Sequence, residues 1–165
     1  MNLFEVKGVI LVAVDDKFTL EDRDGHKVEK KSIHRQFLNN YYNDYSGYKD
    51  VIENMIAEKG SDTEIAINIG DKIFVLFAYS TQGNRDDYKT ELEYENNFIR
   101  IENSLKKVLN FCKEKFPNKI IHTAPIGTGV ESRRTKKIIS LKDFKTAIDE
   151  LARQIGVDVE IISLE

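Results

Sequence analysis

Residues 125–130, Pro-Ile-Gly-Thr-Gly-Val, carry the clearest chemical signal in the chain. Glycine adopts positive φ at no steric cost, and without a Cβ it lets a bound group approach the backbone closely. Successive N–H groups in such a turn form an anion-binding concavity. Arg133, Arg134, Lys136 and Lys137 follow and add positive charge. On this reading Pro125, Ile126, Gly127, Thr128, Gly129 and Val130 hold a phosphate or diphosphate. The plain alternative is a tight turn leaving a strand, and a lone Gly-x-Gly does not choose between them.

Other reactive groups are sparse. Asp15 and Asp16 follow an apolar run at once, where open α/β sheets place ligand groups; they are also ordinary turn residues. Either could serve as a base, and His34 or His122 as an acid. His122 falls within a predicted strand and reads as a packed, hydrogen-bonded histidine. His34 falls on the polar side of a predicted helix and reads as an exposed bystander. Cys112 lies in an apolar helical stripe and reads as core. A single cysteine excludes an intrachain disulfide. No two histidines have metal-ligand spacing, and no nucleophile elbow is present, so neither metal nor cofactor is expected.

The elements that must position these groups follow from periodicity. Residues 9–14, Val-Ile-Leu-Val-Ala-Val, predict a strand covered on both faces. After a charged connection over 19–31, Ser32 caps a helix with Ile33, Phe37 and Tyr41 on one side. Residues 39–45 predict no clear structure. A second helix carries Tyr48, Val51, Ile52, Met55 and Ile56 and ends at Gly60. Strands at 64–69 and 72–79 are joined by Gly70-Asp71 as an antiparallel hairpin, the alternating member at the edge. A polar loop over 80–87, containing Thr81, follows. The longest helix spans about 90–116, with Thr90 and Glu93 as a capping box and Phe98, Ile101, Leu105, Val108, Cys112 and Phe116 inward. Then come a strand at 119–124 including Ile120, a helix from Ser140 to Gly156, and a strand at 157–163. This order predicts an α/β fold, a three-layer α/β/α sandwich with a mixed, mostly parallel sheet. The loops at 15–18, 80–87 and 125–134 would then leave one edge of the sheet.

Length and composition agree with one domain over residues 1–165. The 165 residues suffice for a single core, and 41% apolar with 32% charged residues is a globular composition. The net charge of −3 supplies no general attraction to nucleic acid or anionic membrane. No apolar run approaches the ~20 residues that cross a bilayer, and the first residues lack a signal-peptide layout. A cytoplasmic protein is expected.

The strand followed by Pro-Ile-Gly-Thr-Gly-Val resembles the second phosphate loop of macro domains, α/β/α modules that bind ADP-ribose and related nucleotides. The resemblance sharpens towards the macro domains of bacterial Thoeris antiphage effectors. It rests on Val-Ala-Val-Asp-Asp-Lys-Phe at 12–18 and Lys-Lys-Ser-Ile-His-Arg-Gln-Phe at 30–37. It continues from Phe74-Val-Leu-Phe-Ala-Tyr-Ser through the long helix to Val130. Order and spacing agree over nearly the whole chain. The resemblance places Asp15 near the distal ribose, where macro domains usually have asparagine. It substitutes residues 31–36 for the glycine-rich first phosphate loop, and puts Asn2 where an aspartate often recognises adenine.

The resemblance therefore implies a macro-like module for an ADP-ribose-derived signal, such as an amino-acid conjugate made by a TIR-domain enzyme. Its ligand residues would be Asp15, Asp16, Phe18, Ser32, His34, Arg35, Gln36, Thr81 and the 125–130 loop. The role would be antiphage sensing or a phage-type sponge. The Thoeris effectors carry transmembrane segments before the macro domain and this sequence has none, so it reads as an excised sensor or a free-standing binder. An ADP-ribosyl hydrolase using Asp15 or Asp16, and an interaction domain with a degenerate pocket, are the alternatives.

Overall fold

Gly8–Val14 forms β1, the middle strand of the five that pair into a sheet among the described residues. The computed structural model describes residues 2–14, 33–42, 46–59, 64–78, 91–126 and 141–162. Val9, Ile10, Leu11 and Val12 are buried, as a strand covered on both faces requires. β3 (Lys72–Ala78) and β4 (Ile121–Thr123) flank it, both parallel. β5 (Val159–Ile161) lies parallel outside β4, and β2 (Glu64–Ile69) lies antiparallel outside β3. The order β2-β3-β1-β4-β5 is the mixed, mostly parallel sheet expected, with the alternating hairpin strand at an edge. Gly70 has φ of 62° while Asp71 keeps an ordinary φ, the pattern of a type II′ turn, whose twist matches that of the strands.

Strand periodicity divides the apolar run between two layers. Ile10, Val12, Val14, Phe74 and Leu76 face α1 (Ile33–Tyr41) and α2 (Ser46–Lys59), meeting Phe37, Leu38, Tyr48 and Ile52. Val9, Leu11, Val75 and Phe77 face α3 (Glu91–Lys115) and α4 (Leu141–Ile155), meeting Ile101, Leu105, Cys112, Phe144 and Ile148. Helices on both faces complete the sandwich.

The aromatic contacts orient α1. Tyr41, its last residue, lies 4.9 Å from Phe74 and 6.4 Å from Phe4, ring centre to ring centre. Phe4 precedes β1, so Tyr41 sits at the amino edge of the parallel strands. The first turn of α1 therefore points to the carboxyl edge.

Several boundaries differ from expectation. Ile120 is 50% exposed and lies before β4, which begins at Ile121. β5 spans three residues rather than the expected seven, of which Ser163 lies outside the described residues. α1 continues through Tyr41 into the segment for which no structure was predicted, because Tyr41 and Tyr42 find aromatic partners on Phe37. A 3-10 turn at Leu3–Glu5 was not foreseen. The Asn2 side chain accepts from Phe4 N at 2.9 Å and the Asn2 N–H donates to Glu5 at 3.1 Å.

α3 and α4 end side by side, with the Lys113 ammonium donating to the Ile155 carbonyl. Gly156, at φ 86°, terminates α4, and the N–H groups of Gly156 and Val157 both donate to Ala152 O. Between the helices, burial and then the nearby Glu150 carboxylate raise the Glu102 pKa. The folded state therefore holds the Glu102 proton to higher pH than the unfolded chain, and stability falls as pH rises through that window. Glu102→Gln is expected to raise Tm at pH 7, the gain shrinking as the pH is lowered and wild-type Glu102 protonates. A Tm difference independent of pH would refute the cause given.

Candidate functional site

The carboxyl ends of the parallel strands lie on one side of the sheet, β1 pairing with β3 to their last residues and with β4 at Val9 and Ile10. Val14, the last residue of β1, pairs with Ala78, the last of β3, and Thr123 of β4 pairs with Ile161 of β5. The chain leaves this edge into residues 15–32, 79–90 and 127–140. Of the expected ligand residues, Asp15, Asp16, Phe18, Ser32, Thr81, Gly127, Thr128, Gly129 and Val130 lie outside the described residues. His34, Gln36, Pro125 and Ile126 lie within them, and Arg35 is in α1.

The departure of the glycine loop is firmly anchored. Thr123 is fully buried, its hydroxyl donates to Ala124 O at 2.9 Å, and its carbonyl accepts from Ile162 N at 2.8 Å. Pro125 is half-buried. The Ile126 side chain is buried with Leu11, Ile101 and Phe144 in the α3/α4 layer. A loop starting from a fixed stem loses less conformational freedom when it binds a ligand. Ile126 thus acts as a core anchor at the entrance to Gly127.

His34 is not the exposed bystander expected from helical periodicity. It is 4% exposed, and its Nε2 lies 2.7 Å from the Tyr48 hydroxyl in a buried hydrogen bond. The reason is tertiary: α2 lies across the side of α1 that a lone helix would turn to water. The first turn of α1 is thereby held at the carboxyl edge, where the positive end of a helix dipole favours an anion. Gln36, in the same turn, is half-buried, and its carbonyl accepts from the Asn40 side chain at 2.8 Å. Tyr48 was read from the sequence as core alone; a hydroxyl inside a core-facing stripe was the one signal that it bonds across helices.

The other singled-out groups are structural. His122 Nδ1 lies 2.9 Å from Val9 O across the β4–β1 pair, and its Nε2 lies 3.7 Å from Glu160; it is the packed histidine expected. The Asn2 Oδ1 and backbone N–H make the capping contacts of the Leu3–Glu5 turn. Cys112 is fully buried, and burial followed by the Glu64 carboxylate pushes its thiol up to about 12. Iodoacetamide at pH 8 is expected to leave the native thiol unmodified and to alkylate it only in denaturant; rapid labelling of native protein would contradict this. Among the described residues no group of three His, Cys, Asp or Glu side chains is placed to hold a metal. No described helix is long and apolar enough to cross a membrane.

The architecture is that of a macro domain, the class of α/β/α module that binds ADP-ribose and its derivatives. The macrodomain of Mycobacterium tuberculosis DarG superposes with a TM-score of 0.56, over 98% of this chain and 92% of its own, at 13% identity. That of Thermus aquaticus DarG gives 0.56, over 99% and 94%, at 15% identity. Within the class, the chain belongs to the family of the macro domain of the Thoeris protein ThsA, whose family model matches residues 1–148. No curated protein matches the chain in sequence.

Proposed function

We propose that this protein is a binding module for an ADP-ribose-derived nucleotide signal, such as an amino-acid conjugate of ADP-ribose made by a TIR-domain enzyme. It acts in the cytoplasm, in antiphage defence or as a phage-type sponge for that signal. The observation that carries this reading is the match to the Thoeris ThsA macro-domain family over residues 1–148. It is supported by the common edge at which β1, β3 and β4 end and α1 begins. Gly127–Val130 give backbone N–H bonds to the diphosphate, charge-assisted and therefore stronger than neutral ones. Asp15 and Asp16 meet the distal ribose or the conjugated group, with Phe18 and Thr81 beside them. Ser32, His34, Arg35 and Gln36 close the other side.

Calorimetry with ADP-ribose and with its amino-acid conjugates tests this directly. Saturable binding is expected, tighter for the true signal than for ADP-ribose. Absence of heat from every one of them at millimolar concentration would defeat the reading.

A further inference from the structure

We propose that the Tyr48 hydroxyl is a positioning residue for the ligand site: it holds the His34 ring, and with it the first turn of α1, at the carboxyl edge. This rests on the binding function proposed above. Tyr48 belongs to α2 and is fully buried. Its ring runs along α1, with centroid distances of 5.5 Å to Tyr42, 6.3 Å to Phe37 and 5.5 Å to His34. Tyr42 follows the last residue of α1 and His34 is in its first turn, so the ring lies lengthwise and its oxygen reaches the end nearest the ligand edge. There it meets His34 Nε2 at 2.7 Å.

The two ends of α1 are held differently. Nine residues make a helix too short to persist alone, so packing must hold it. Phe37, Leu38 and Tyr41 fix the middle and the amino-edge end against Phe74 and its neighbours. At the carboxyl-edge end Ile33 is only half-buried, and a directional bond from another helix adds what apolar contact there does not. A hydrogen bond restricts orientation where dispersion restricts only distance. The orientation it sets is that of residues 33–36, the first turn of α1 that borders the proposed nucleotide site. Tyr48 thus governs affinity without belonging to any loop that leaves the edge.

Tyr48→Phe deletes one oxygen and keeps the ring in the core. It is expected to lower Tm by only about 1–6 °C, yet to weaken ADP-ribose binding about fivefold to tenfold by calorimetry. Two controls separate positioning from general stability. Tyr42→Phe removes a neighbouring hydroxyl, and Ile52→Val deletes one methyl from α2 at a similar thermal cost; both are expected to keep wild-type affinity. In a His34→Leu background, adding Tyr48→Phe is expected to cause a clearly smaller loss than in the wild type, because the two share one bond. Wild-type affinity in Tyr48→Phe, equal losses in Ile52→Val, or losses that multiply in the double variant would each overturn the positioning role. Failure of the wild-type protein to bind any ADP-ribose derivative would instead overturn the binding function, and this role with it.

Discussion

Replacing Phe74 with alanine is expected to lower the unfolding free energy by about 3–5 kcal/mol, the usual cost of emptying a buried phenylalanine site. Phe74 is fully buried at the centre of an aromatic cluster, with Phe37 at 4.8 Å, Tyr41 at 4.9 Å and Phe4 at 6.3 Å. It joins three parts of the chain distant in sequence: the amino-terminal turn, α1 and the sheet. A cavity there is lined by rings already locked by their own neighbours, so collapse recovers little. Domains of this size have total stabilities of about 5–15 kcal/mol, and Tm should fall by roughly 6–20 °C. Function should suffer as well, since the same cluster fixes α1 on the sheet. Urea unfolding followed by circular dichroism would measure the change; Ile120→Ala, at a 50% exposed position, should shift stability by no more than about 0.5 kcal/mol. A Phe74→Ala protein within about 1 kcal/mol of wild type would show that the cluster does not hold the layers together.

The second large effect concerns binding alone. Gly129→Val, and separately Gly127→Val, are expected to leave Tm near wild type while weakening ADP-ribose about tenfold to a hundredfold or more. A valine Cβ with two branches excludes the positive-φ conformations open to glycine and occupies space that a diphosphate needs beside the backbone. Each hydrogen bond to a charged group contributes about 1.5–3 kcal/mol, so loss of even one falls in the range stated. The fold should tolerate either change because the buried anchors of the loop, Thr123 and Ile126, precede both positions. Thermal shift offers a parallel measurement: ligand at 100 times its Kd stabilises by about 2.7 kcal/mol, an increment the valine variants should lack. Unchanged affinity in both variants would remove the glycine loop from the site.

The amino-acid sequence by itself determined the parts of this protein that depend on local periodicity and turn chemistry. The unbroken run Val9–Val14 required a strand buried on both faces, and β1 is central. Gly70-Asp71 required a tight antiparallel hairpin, and the three- and four-residue spacing from Phe98 to Cys112 required the α3 stripe. The macro-domain resemblance was legible because residues 12–18, 30–37 and 74–130 preserve order and local chemistry together. Tertiary structure alone decided what depends on which neighbour covers a side chain. Helical periodicity put His34 on a polar face, whereas α2 buries it and gives it Tyr48. The apolar Ile120 looked like strand, whereas among the described residues no layer covers it, and it is half exposed. Ile126 stands in the Pro-Ile-Gly-Thr-Gly-Val motif, and only the assembled layers show that its side chain is buried in the α3/α4 layer. Periodicity records which side of an element is apolar; only the assembled layers fix which polar groups are sealed in with it, because burial is a property of neighbours distant in the chain.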